Sequence, residues 1–284
     1  MSFSLVLGGG GIVGVAWETG VLASLADRRV LDPAEAATMV GTSAGAAMAA
    51  QLASGTSVED LVEAQLRAVP GAGARPPAAN PTGVAEIFAT LMAATEMTTE
   101  LSRAIGRKAC ELPTRPEEER LAEIAGFLRG AEWPAGVDLR LVAVSCATGV
   151  RRVWTTGDRV ELAKAVASSC AVPGVSPPVT IGGDRFMDGG VWSPSNADVL
   201  IGSSFDVVVF IGPIGGFLAG PPQIERELAA LSESGVRTVS VLAGPGFADL
   251  QANMFDPDFR RNGFELGRAD GVSAAKAVRD ALSG

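Results

Sequence analysis

The sequence is punctuated by short strand-like stretches: FSLVL (Phe3–Leu7), TMVGT (Thr38–Thr42), DLRLVAVSC (Asp138–Cys146), FDVVVFIG (Phe205–Gly212) and VRTVSVLAG (Val236–Gly244). Several of them, VVVFIG most plainly, are continuous apolar runs. A strand with one wet face alternates polar and apolar residues, whereas a continuous run has to be covered on both sides. Between the runs lie segments with helical spacing, at about 11–29, 44–53, 58–69, 161–169, 222–234 and 269–282. This alternation predicts an α/β fold, a mostly parallel central sheet with helices on both faces. RRVWTT (Arg151–Thr156) and RFMD (Arg185–Asp188) add two shorter strand signals. The 284 residues suit one domain over 1–284. Within it, the stretch from about 84 to 132 carries helical signals alone and reads as a helical insertion or cap. There, TRPEEERL sets Thr114 and Glu117 in a capping-box spacing. PGAGARPPAANPTG (Pro70–Gly83) reads as an exposed loop.

What the chain lacks limits its chemistry. It has no histidine and no tyrosine, so a Ser-His-Asp or Cys-His arrangement, a His-based metal site and a phenol acid are all excluded. Proton transfer falls to carboxylates, to cysteine, or to Lys108, Lys164 or Lys276. A formal net charge of −9 argues against nucleic-acid binding and against electrostatic docking on anionic membranes. Cys110, Cys146 and Cys170 are scattered through apolar surroundings, as buried small hydrophobes of a reducing compartment are. The N-terminus lacks a basic region and an apolar run of signal-peptide length, and no stretch approaches a membrane span. The expected location is cytoplasmic.

Three motifs could carry the reaction. Gly41-Thr42-Ser43-Ala44-Gly45 is a G-x-S-x-G between a predicted strand and a predicted helix, the setting in which a sharp turn lifts a nucleophilic serine out of the backbone. Asp188, followed by Gly189 and Gly190, ends a predicted strand and is the candidate base. A free aspartate titrates near ~3.9, too low for a base at neutral pH, and burial would raise it. The glycines Gly8–Gly11 and Gly14 follow the first strand and open a helix, so their amides suit an anion. That anion is either a dinucleotide phosphate, with Gly9-x-Gly11-x-x-Gly14 as fingerprint and Asp32 as ribose partner, or a tetrahedral oxyanion. Ser273-Ala-Ala-Lys276 matches S-x-x-K, but no preceding strand or supporting motif accompanies it.

Taken together and in order, GGGGIVG, GTSAG and DGG resemble the patatin-like phospholipase family, as does ASSCAVPGVSPPV (Ala167–Val179) between the last two. The resemblance implies a patatin-like α/β/α fold and a serine acyl hydrolase acting on lipid or other acyl esters. Ser43 would be the nucleophile, Asp188 the base, and Gly9, Gly10 and Gly11 the oxyanion hole, with no metal or other cofactor. It also implies transient contact with a lipid surface. The family pattern G-G-G-x-[KR]-G expects a basic residue where this chain has Val13, and the longer turn from Gly14 to Gly20 brings Trp17 and Glu18 towards the site. The helices of 84–132 could wall an acyl pocket with Phe88, Leu91 and Met92. Two other readings stay open: an NAD(P)-binding oxidoreductase built on the first glycines, and a catalytically idle lipid-binding member.

Overall fold

The structure is a computed structural model that describes residues 2–67, 81–94, 96–213 and 220–284. Its centre is a sheet of eight strands: β1 (Phe3–Leu7), β2 (Thr38–Thr42), β3 (Asp138–Ser145), β4 (Arg151–Trp154), β5 (Val179–Ile181), β6 (Asp184–Asp188), β7 (Val207–Gly212) and β8 (Arg237–Leu242). The strand order is β5-β6-β3-β2-β1-β7-β8, with β4 also paired to β3. From β3 through β8 the neighbours along this path are parallel. Every residue of β1, β2 and β7 is buried, as their apolar runs demand.

Helices cover both faces: α1 (Gly11–Asp27), α2 (Ala44–Ala53), α3 (Val58–Arg67), α4 (Pro81–Ala93), α5 (Thr99–Glu111), α6 (Glu117–Phe127), α7 (Leu162–Ser169), α8 (Gly220–Glu233), α9 (Ala248–Gln251) and α10 (Arg260–Ser283). One core gathers Leu5, Leu7, Trp17, Leu22, Met48 and Val209. The opposite face carries a second, with Val6, Val40, Phe210 and Leu231. The loop expected from Pro70 falls mostly outside the described residues, but Pro81–Gly83 already belong to α4. The helix expected to reach Val69 is described to Arg67.

The far edge of the sheet departs from the parallel expectation. Strands β4 and β6 run antiparallel to β3, and β5 antiparallel to β6. A two-glycine turn, Gly182 and Gly183 at φ 62° and 86°, closes the β5–β6 hairpin; glycine takes both positions without strain. The capping box at Thr114 does not form, because α6 begins at Glu117 with Pro116 as its cap. Glu117 bonds across to the sheet instead: its carboxylate accepts from Thr180 N (2.8 Å) and Thr180 Oγ1 (3.0 Å), tying α6 to β5.

Helix α10 starts nine residues before the expected Ala269. Its early glycines look like breakers in the sequence but are contact points with α1. A Cβ on Gly263, Gly267 or Gly271 would come within 2.7, 2.0 and 2.7 Å of Val13 O, Trp17 O and Ser24 Cβ. Ser273-Ala-Ala-Lys276 lies on this helix, Ser273 exposed and Lys276 paired with Asp280 at 2.5 Å, an ordinary surface turn. No described helix is long and apolar enough to cross a membrane.

Candidate active site

The register of β3 brings the two motif residues together. Along one edge, Leu141 and Val142 face Gly41 and Thr42 of β2, while Ala143 and Val144 face Asp188 and Met187 of β6. On the other edge all four face β4. Strands β2 and β6 therefore share an edge of β3 and point at each other, ending on adjacent rungs. The residue after Thr42 is Ser43, and the last residue of β6 is Asp188.

Ser43 sits at φ 55° and ψ −119°, a region L-residues avoid at a cost of about 1–3 kcal/mol. The conformation is held from several sides. Its N–H donates to Ser169 Oγ (3.0 Å), which donates to Val142 O (2.5 Å), filling the gap left where the β2–β3 ladder stops. Its carbonyl accepts from the Cys170 thiol (2.9 Å) and from Ala46 N (2.9 Å). Helix α2 begins at once, and Gly45 N–H donates to Gly8 O (2.9 Å). A Cβ at Gly45 would lie 2.2 Å from Leu7 O, and one at Gly41 2.5 Å from Ala46 Cα, so both motif glycines are required by space.

Asp188 is fully buried. Its N–H donates to Ala171 O (3.0 Å), and its Oδ1 accepts from Gly190 N–H (2.7 Å). Gly189 lies flat on β3, where a Cβ would come within 2.3 Å of Val142 O. Oδ2 completes no hydrogen bond. Burial pushes the carboxyl up to about 7, while the Ser43 hydroxyl, Gly190 N–H and the Arg120 charge pull it down. The hydroxyl is thus near enough to act on the carboxylate although no hydrogen bond of ordinary geometry joins them. Residues 169–171 touch both partners, Ser43 through Ser169 and Cys170, Asp188 through Ala171.

The glycine loop lies beside the pair. Gly9 N–H is already committed to Pro194 O (3.1 Å). Gly10 and Gly11 amides, at the start of the 17-residue α1, have no hydrogen-bond partner among the described residues. Gly11, at φ 63°, could carry no Cβ, which would meet Met254 O at 2.7 Å. Trp17 turns away from this loop to donate to Asp270 Oδ2 (2.8 Å). Glu18 is wholly buried beneath the loop, and burial raises its pKa well above the ordinary carboxylate range against the opposing Gly8 N–H.

A polar network braces the turn after Asp188. Asn196, in the left-handed region at φ 51°, donates from Nδ2 to Thr42 Oγ1 (3.1 Å) and Ser193 O (2.7 Å), linking the end of β2 to the Asp188 turn. Ser169, Cys170 and Asn196 have no signal of their own in the sequence. The first two lie in the ASSCAVPG block, which marks the segment without assigning them a role.

Helices α4 and α5 rest on the neighbouring face, where Ile87, Leu91 and Ile105 pack with Val144, Cys146, Met187 and Val191, while Ile124 of α6 joins the first core. Leu91 is thereby spent on the sheet; the side chain of Met92 lies outside the described residues. Asp32 does not sit at a strand end near the glycines. It caps a short turn by accepting from Ala34 N (3.0 Å), ahead of β2 at the opposite edge of the sheet. A cavity of about 620 Å³ opens at that edge among Arg29, Asp32, Glu35 and Glu59, far from the strand ends where α/β sites gather. The dinucleotide reading therefore loses its ribose partner.

The family model described as patatin-like phospholipase matches residues 5–201, which hold all three motifs. The chain belongs to the patatin-like phospholipase family. Among solved structures it is similar to VipD from Legionella pneumophila, with a TM-score of 0.50, 13% identity, 97% of this chain covered and 67% of that one. It is also similar to the type III effector protein ExoU, at 0.45, 18%, 97% and 53%; a further ExoU structure, from Pseudomonas aeruginosa in complex with SpcU, gives 0.37, 17%, 99% and 52%. At 13% identity the likeness to VipD is one of fold, and the chain spans about half of ExoU's length. No curated protein matches it by sequence.

Proposed function

We propose that this patatin-like chain is a serine hydrolase of lipid acyl esters that works with a Ser43–Asp188 pair. The observation that carries the reading is the convergence of β2 and β6 on one edge of β3, which sets a strained serine against a buried carboxylate with one oxygen unpartnered. Asp188 Oδ2 takes the Ser43 proton as Oγ bonds to the ester carbonyl carbon. The carbonyl oxygen becomes an oxyanion within reach of the Gly10 and Gly11 amides, with Gly9 holding the loop through Pro194. Collapse expels the alcohol, which takes its proton from Asp188. Water, deprotonated by Asp188, then attacks the acyl-serine; the carboxylic acid leaves and Ser43 recovers its proton.

The test is Ser43→Ala, with hydrolysis of a short-chain ester and labelling by a fluorophosphonate probe measured beside the wild type. Activity should fall at least about 10³-fold and labelling should vanish, with thermal unfolding unchanged. A wild type that neither hydrolyses the ester nor takes the label would support the idle lipid-binding alternative; undiminished turnover in Ser43→Ala would refute the dyad.

A further inference from the structure

We infer that Phe255 is a specificity-determining residue, an apolar wall for the acyl chain of the ester on the oxyanion side of Ser43. The inference rests on the acyl-hydrolase reading above.

Gly11 has no room for a side chain because another segment fills the space. At φ 63°, a Cβ there would lie 2.7 Å from Met254 O and 3.1 Å from both Cδ1 and Cε1 of Phe255. The Phe255 ring is therefore packed directly on Gly11. At the other end of the three glycines, a Cβ on Gly9 would lie 3.4 Å from Ser43 Cβ. The ring and the nucleophile thus bracket the loop, one at each end.

The residues between α9 and α10 are held as consecutive turns. Asn253 N–H donates to Leu250 O (2.9 Å), Asp256 N–H to Asn253 O (2.8 Å) and Phe259 N–H to Asp256 O (3.2 Å), while Asp258 N–H donates to Asp256 Oδ1 (3.0 Å). Met254 is buried, and Phe259 packs on the first core. Met254 O also accepts from Val13 N–H (3.0 Å), taking one free donor of the first turn of α1 and leaving those of Gly10 and Gly11. A ring on this footing is fixed before a substrate arrives, which lowers the cost of binding against it. Phe255 is only half-buried, so part of the ring is spent on Gly11 and part stays accessible. It lies past residue 201, where the family match ends.

The reaction decides what meets that surface. With the carbonyl carbon on Ser43 Oγ and its oxygen at the Gly10 and Gly11 amides, a group bound beside Gly11 touches a substituent of that carbon. One substituent is the alcohol, polar close to the ester; the other is the acyl chain, apolar from its first methylene. A phenyl ring suits the second, because each methylene it removes from water favours binding.

The experiment measures kcat/KM for p-nitrophenyl butyrate and p-nitrophenyl acetate, which share a leaving group and differ by two methylenes. The wild type should prefer the butyrate. Phe255→Ala should lower the butyrate-to-acetate ratio at least about fivefold, the loss falling on the butyrate. Phe255→Gln, which keeps the bulk and removes the apolar surface, should lower the ratio likewise, so the test stands if Phe255→Ala does not fold. Phe255→Leu should recover most of the ratio. An unchanged ratio in the alanine and glutamine variants overturns the inference. So does an equal fall on the two esters, which would mean that the ring only props Gly11, and so does a wild type without preference for the butyrate. A wild type that hydrolyses neither ester instead sinks the hydrolase reading itself.

Discussion

Two buried carboxylates flank the turn that follows β6, and their surroundings differ. Glu227, reaching in from α8, is saturated: it accepts from Ala197 N (2.9 Å), Gln223 Nε2 (2.8 Å) and Ser195 Oγ. Asp188, at the start of the turn, has one oxygen held by Gly190 and the other unpartnered. Burial raises the pKa of both, aided at Glu227 by the charge of Asp198. Burial alone therefore does not distinguish a reactive acid from a structural one. The difference lies in the hydrogen bonds: a saturated carboxylate fixes its surroundings, and one with a free oxygen can still take a proton.

The largest effects should come from Asp188. Asp188→Asn should lower kcat by about 10³-fold, within the range of a lost general base. In the wild type, kcat/KM should rise about tenfold per pH unit up to about 7 and then level off, following ionisation of Asp188. Stability should move the other way. The folded pKa of about 7 lies above the unfolded value near ~3.9, so between these pH values the native state binds more protons than the unfolded chain. Stability is then lost as pH rises through that window, by up to about 1.4 kcal/mol per unit. Glu18 and Glu227 slope in the same direction, so the readout is the difference between wild type and Asp188→Asn in urea titrations at pH 5 and pH 8. Equal slopes in the two proteins would show that Asp188 is not a buried acid of raised pKa.

Glu227 should give the reverse result. Glu227→Ala strands Ser195 Oγ and Ala197 N in a buried site, at a cost of about 3 kcal/mol. Urea unfolding should register that loss, while kcat of the protein that remains folded should fall by less than about tenfold, or ~1.4 kcal/mol. A collapse of kcat without loss of stability would give Glu227 a chemical role and erase the contrast with Asp188.

The same contrast explains what was legible in the sequence. The buried parallel strands could be read because continuous apolar runs have few other uses, and the turns at Ser43 and Asp188 because the first follows a strand and the second ends one, each beside glycines. Strand β5 was not: three residues between Pro178 and Gly182 carry too little periodicity, although Gly182-Gly183 is a hairpin signal once the partner strand is known. The first half of α10 was obscured by Gly263 and Gly267, whose reason is the approach of α1 and not a break in the helix. Cys170 looked like packing material, yet its thiol donates to the carbonyl of Ser43. Glu227 and Asn196 act through partners far along the chain, and only the fold joins them to the candidate site.

The smallest expected effect tests how much of the elbow's geometry depends on the segment that touches both halves of the pair. Ser169 Oγ accepts from the Ser43 N–H and donates to Val142 O, replacing a rung that the diverging strands cannot make. Ser169→Ala should lower kcat about tenfold, or ~1.4 kcal/mol, because Ser43 loses a restraint on its strained backbone and tilts away from Asp188. Its KM should stay within about twofold, since no substrate contact is removed. Ser169→Thr, which keeps the hydroxyl, should recover most of the loss. If Ser169→Ala instead unfolds at markedly lower urea with kcat intact, the segment serves the sheet and not the pair, and the strain at Ser43 is held by Gly45, Ala46 and Cys170.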